Sequence, residues 1–141
     1  MTLKQALKKK NKLVKEMQEH MNLAQRNNSY QEQNTRNYSS KDELEKSIQK
    51  MDELLDLKTK IHIANQPVYK LIFRLSELKA LIRSLKGIPT TEGLFKGYTD
   101  EPVRTVAEIN EVELRELVKK YEDEIEDIQE KLDKHNLLTE I

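Results

Sequence analysis

Apolar residues recur at alternating four- and three-residue intervals in four separate stretches of this chain, and polar residues fill nearly everything between them. Such spacing lays one apolar stripe along one face of a helix. The first stretch reads Leu3, Leu7, Val14, Met17, Met21 and Ala24, with Lys10 interrupting the stripe. It predicts a helix over 3–26, with Lys10 snorkelling to the rim or tuning the register. Residues 27–39 contain no aliphatic side chain and read as a polar connector, with Tyr30 and Tyr38 as its apolar anchors. Ser40-Lys41-Asp42-Glu43 has the form of a capping box, so a second helix is expected over 40–64. Its apolar set is Leu44, Ile48, Met51, Leu54, Leu55, Leu57 and Ile61, an arc broad enough for two neighbours. Pro67 ends that helix and suits the first turn of a third, over 67–86, striped by Leu71, Leu75, Leu78, Ile82 and Leu85 and stopped at Gly87. A fourth, over 110–136, opens on Asn110 as N-cap with Glu113 at the third helical position. Leu114, Val118, Tyr121, Ile125, Ile128 and Leu132 form its stripe, and fraying near Asn136 leaves Leu137 and Leu138 to pack or to meet a partner.

Residues 87–109 break the pattern. They hold all three glycines and two of the three prolines. Leu94-Phe95 and Val103-Arg104-Thr105-Val106 have strand character, which predicts a β-hairpin or extended arm. The expected fold is therefore mainly α. It is a single domain over 1–141, an antiparallel four-helix bundle of long, coiled-coil-like helices with a short β-hairpin or arm before the last helix.

Composition narrows this further. Leu, Ile, Val and Phe make up about a quarter of the chain, above the level of disordered sequences. Charged residues make up 35%, and there is no Trp, so the core is thin and most helix surface is wet. Net charge is zero, but its distribution is uneven. Residues 1–26 hold seven Lys/Arg against two Glu, and residues 110–141 hold five Lys/Arg against eleven Asp/Glu. The first and last helices are thus electrostatic opposites and are expected to pack side by side. Without cysteine there is neither a disulfide framework nor thiol chemistry. Met1-Thr2-Leu3-Lys4 runs straight into lysines, so no signal peptide is expected. No apolar run approaches the roughly 18 residues of a membrane span. The expected location is the cytoplasm, with no membrane partner.

Candidate chemistry is sparse. There is no glycine-rich phosphate loop, paired-histidine helix motif or nucleophile elbow. Glu16 and His20 share a helix face at i,i+4, but zinc normally takes three or four ligands, so a solvated pair is the preferred reading. Glu122, Asp123, Glu124, Glu126 and Asp127 lack the spacing of a calcium loop. No catalytic, cofactor-binding or metal-ligating residue is assigned, and the chain is read as non-enzymatic. Extending the heptads puts His62 and His135 on apolar faces, as rim histidines by preference and as pH-sensitive buried polar contacts in the sharper reading. Lys4, Lys8, Lys12 and Lys15 stack along one side of the first helix. A basic stripe is the first sign of nucleic-acid binding, but no aromatic is interleaved, so a nucleic-acid-associated accessory role ranks second.

The order of elements resembles a known family. The chain opens on a basic helix beginning Thr2-Leu3-Lys4-Gln5-Ala6-Leu7, followed by a polar connector. A helix ends in Ile61-His62-Ile63-Ala64-Asn65, a β-like segment comes late, and the close is Ile128-Gln129-Glu130-Lys131-Leu132 and Asn136-Leu137-Leu138-Thr139-Glu140-Ile141. Together these resemble the septicolysin-like family of small bacterial proteins. Leu137 stands where that family's tryptophan follows asparagine, and Leu75 where an aspartate follows the arginine matched by Arg74. The resemblance implies a helical, self-associating bacterial protein with a hairpin before its last helix, and it implies no established activity.

The function expected is therefore that of a structural or interaction protein acting as a helical homo-oligomer, with a further protein partner allowed. Two places fit the interface: an exposed helix seam, or the 87–109 arm through Leu94, Phe95, Tyr98, Val103 and Val106. Those side chains exceed what the helix stripes can cover, and apolar patches left in water usually mark interfaces.

Overall fold

A computed structural model of the chain describes residues 1–98 and 101–141. The protein is mainly helical. Its elements are α1 (Leu3–Asn27), α2 (Ser40–Asn65), a 3₁₀ turn (Gln66–Val68), α3 (Tyr69–Lys86), β1 (Gly93–Lys96), β2 (Pro102–Thr105) and α4 (Glu111–Leu138). Thr99 and Asp100, inside the arm expected over 87–109, lie outside the described residues.

Three of the four helices, α1, α2 and α4, start where a side chain offers their first amides a partner. At α1, Thr2 Oγ1 accepts from the Gln5 amide and Gln5 Oε1 accepts from the Thr2 amide, a reciprocal capping box. At α2 the cap is Ser39, one residue earlier than expected, whose Oγ accepts from the Asp42 amide. Ser40 is the first residue inside the helix, and Glu43 is free to turn elsewhere. Asn110 caps α4 as expected, accepting from the Glu113 amide at 2.8 Å and donating back to its carboxylate. Pro67 sits in the 3₁₀ turn, so α3 begins two residues later than its stripe suggested, on Val68 without a side-chain cap. Gly87 ends α3 in right-handed geometry, at φ −86°. α4 runs through Asn136 to Leu138 without the expected fraying.

The chain divides into two compact units. The first holds Met1–Pro67 and Lys134–Ile141. Here α1 and α2 pack as an antiparallel hairpin: Glu16 meets Lys50, the Met17 carbonyl accepts from Ser47 Oγ, and His20 meets Glu43. Its core is Leu3, Ala6 and Leu13 against Leu54, Leu57 and Ile61, flanked by Leu7, Met17, Ala64 and Ile141. This seam differs from the expected one by a rotation of each helix. Ala6 and Leu13 are buried where Leu7 and Val14 were expected, and on α2 Ser47, Leu54, Leu57 and Ile61 face inward. Leu44, Ile48, Met51 and Leu55, expected in the seam, are 42–54% exposed. The reason is steric. Small side chains Ala6, Ala24 and Ser47 are buried in the seam together with Leu3, Leu13, Leu54, Leu57 and Ile61, and small residues of this kind suit a close helix contact.

The C-terminal residues close this unit. Leu3 N–H donates to the Thr139 carbonyl at 2.8 Å, Ile141 N–H donates to the Met1 carbonyl at 2.9 Å, and Thr2 and Glu140 form an antiparallel bridge.

The second unit holds Val68–Asp133. Arg74, near the start of α3, forks onto Glu124 of α4, while Lys86, at the end of α3, pairs with Glu122 and lines a cleft with Leu114 and Val118. The helices are therefore antiparallel. Leu78, Ile82 and Leu85 of α3 and Leu114 and Ile128 of α4 are buried, as their stripes predicted. The two strands pair antiparallel, Gly93 opposite Thr105 and Lys96 opposite Pro102. Gly93 has φ +134°, a conformation that side-chain-bearing residues rarely adopt, so this position calls for glycine.

Candidate interaction surfaces

The β-hairpin presents its apolar side chains to water. Leu94, Phe95, Val103 and Val106 are each at least 49% exposed, and Tyr98 is fully exposed. In a two-stranded sheet each strand also keeps one unpaired edge of N–H and C=O groups. Sequence and structure agree that this arm exists and that its apolar residues are left uncovered within the chain.

The basic face of α1 is also real. Lys4, Lys8, Lys12 and Lys15 are exposed. Lys12 and Lys15 pair with Glu16 and Glu19, on their own helix. α1 lies along α2, where His20 meets Glu43 and Glu16 meets Lys50.

The loop-side half of the α1–α2 seam is polar. His20 Nδ1 donates to Glu43 Oε2 at 2.6 Å, and Lys46 Nζ reaches Glu43 Oε1 at 3.4 Å. Glu43 is 5% exposed, yet its carboxyl is held below its ordinary value of 4.5. The His20 hydrogen bond is the main cause, with Lys46 adding to it and burial working against both. Glu16 is likewise lowered, chiefly by its hydrogen bond to Lys50 and also by Lys12. The i,i+4 pairing of Glu16 with His20 weighed from sequence is thus replaced: each takes a partner on α2. Nothing in the local spacing announces His20–Glu43, because the two are 23 residues apart and meet only once the hairpin register is set.

His135 is half-buried at the end of α4. Its Nε2 lies 2.9 Å from the Ala64 carbonyl and its Nδ1 3.2 Å from Thr139 Oγ1. A carbonyl only accepts, so Nε2 carries the proton, and in the neutral ring Nδ1 accepts from the Thr139 hydroxyl. His135 thus has a polar partner at each ring nitrogen, although it is half-buried and not fully enclosed. His62 is exposed.

The largest surface that sequence reasoning placed wrongly is the outer face of the first unit. Met21 of α1 shares clefts with Leu44, Ile48 and Met51 of α2, and Val14 and Leu55 are also exposed. Two clefts along this face, about 140 and 460 Å³ in volume, are lined by Met17, Met21, Leu44, Ile48 and Met51 among others. The larger also receives Ser40 Oγ, a buried hydroxyl without a hydrogen-bond partner.

Among the described residues no three His, Asp or Glu side chains gather as a metal site, and no helix is long and apolar enough to cross a membrane. No family model, curated protein or solved structure matches the chain.

Proposed function

We propose that this chain is a non-enzymatic structural or interaction protein that works as a helical homo-oligomer in the cytoplasm, and that its β-hairpin arm is one of its contact surfaces. The exposure of Leu94, Phe95, Tyr98, Val103 and Val106 on a two-stranded sheet with free edges carries this reading. Pairing such an edge across a two-fold axis satisfies its backbone groups and covers its apolar side chains at once. Kinship with the septicolysin-like proteins belongs to the same proposal, supported by the hairpin that precedes the last helix.

Replacing the arm by a short Gly-Ser linker tests it. The expected result is a smaller molar mass by light scattering with helical circular dichroism retained. An unchanged mass would remove the arm from the assembly. The basic stripe of α1 keeps a nucleic-acid role as the second reading, since Lys4, Lys8, Lys12 and Lys15 are all exposed on one helix. Affinity for duplex DNA or RNA that falls steeply with salt would favour it.

A further inference from the structure

We propose that the outer face of the α1–α2 hairpin is a second interface, on which another copy of this chain docks so that two hairpins make one four-helix bundle. The proposal rests on the homo-oligomer reading and adds to it a place, a partner and an orientation.

The apolar part of the face is Val14 and Met21 of α1 with Leu44, Ile48, Met51 and Leu55 of α2. The α2 residues follow a four-three-four spacing, the seam of a coiled contact, and all four are 42–54% exposed. α2 therefore carries two such seams, and only one faces α1. Size is sufficient. A 25-residue helix is about 37 Å long and two side by side are about 20 Å wide. That gives about 750 Å² per copy, close to the roughly 800 Å² per partner of a standard interface.

Charge selects the occupant and its orientation. On a helical wheel, Lys4, Lys8 and Lys15 fall on the edge of α1 turned away from α2, and Glu45, Asp52 and Asp56 fall on the edge of α2 turned away from α1. All six are exposed. The hairpin face is thus bordered by a mainly basic edge and a mainly acidic one, with Glu19 and Lys41 as the opposing charges. A two-fold axis parallel to the hairpin lays α1 of each copy over α2 of the other. Basic edges then meet acidic edges on both sides, and every neighbouring pair of helices is antiparallel, as within the hairpin itself. Because residues of α1 stand level with those of α2 whose numbers fall as theirs rise, Lys8 of one copy comes level with Asp56 of the other, and Lys15 with Asp52. A two-fold axis across the hairpin instead sets α1 on α1 and lysine against lysine. A partner of uniform charge matches only one edge, whereas a second copy matches both.

The test uses the full chain and its molar mass by sedimentation velocity. Ile48→Glu puts a charge into the centre of the face without touching the buried seam, so helical circular dichroism is kept and the mass is expected to fall by half. Lys8→Glu with Lys15→Glu is expected to weaken association by about tenfold. Adding Asp52→Lys and Asp56→Lys to the same chain is expected to restore it, because each new carboxylate then meets a new lysine across the two-fold. An unchanged mass for Ile48→Glu, or a four-site variant no better than the two-site one, overturns the proposal. If arm replacement alone lowers the mass, this interface fails and the homo-oligomer reading stands. If the unaltered chain is itself a monomer, both fail.

Discussion

Glu43 shows how one residue reports on the packing around it. It is nearly buried, but His20 and Lys46 hold its carboxyl below 4.5. A carboxyl whose folded pKa is depressed contributes stability above its unfolded value, and that contribution is lost as pH falls through the folded one. Unfolding of the wild type and of Glu43→Gln, followed from pH 7 down to pH 3, should therefore differ most at neutral pH and converge below about pH 4.5. A gap independent of pH would mean that the carboxylate charge contributes nothing. His135 makes a second, separate case. Losing its donation to the Ala64 carbonyl in His135→Ala should cost about 1 kcal/mol in denaturant unfolding. Thr139→Val, which keeps the backbone bond from Leu3, should cost less than that.

At the scale of elements, the stripes foretold burial in part: Leu3, Ala24, Leu54, Leu57 and Ile61 are buried, as are Leu78, Ile82, Leu85, Leu114 and Ile128, whereas Val14, Leu44, Ile48, Met51 and Leu55 are exposed. Leu78 is 3% exposed, whereas Ile125 is only half-buried. Leu78→Ala should therefore lose about 2–4 kcal/mol, and Ile125→Ala about half as much, measured by chemical denaturation. Equal losses would mean that Ile125 is covered in solution by something the isolated chain lacks. The helices, the hairpin and the Asn110 cap were legible because caps, glycines and periodicity are local signals. The α1–α2 seam was legible in Leu3, Leu54, Leu57 and Ile61 but not in its phase, because apolar size marked Val14, Ile48 and Met51, while Ala6 and Ser47 are buried instead. The α1 capping box was legible in Thr2 and Gln5 and simply lay one step before the stripe. Which of two adjacent serines caps α2 is a matter of backbone geometry that Ser39 and Ser40 do not encode by type. The arm's apolar residues were legible as surplus to the helix stripes, and the second uncovered face was hidden by the assumption that every stripe is filled within one chain.

At the scale of the whole molecule, the apolar side chains assigned to the two proposed contact surfaces are exposed and are not core residues, so the proposed self-association and folding can be altered separately, as the Ile48→Glu and Leu78→Ala variants would show. The first unit also has a temporal consequence. Most of its seam is local, made by a hairpin whose two helices are complete by Asn65. Its last strand-like contact joins Leu3 to Thr139 and Met1 to Ile141, across nearly the full length of the chain. On a ribosome the hairpin has all its own residues long before that contact has a partner, and the nascent unit must wait with the Leu3 amide unpaired. The amides of Leu3 and Ile141 should accordingly be the last to gain protection when the chain refolds in pulse-labelling hydrogen exchange, and the first to lose it under native conditions. Protection of Leu3 arriving together with that of Leu54 would show instead that the unit forms in one step from its ends inward.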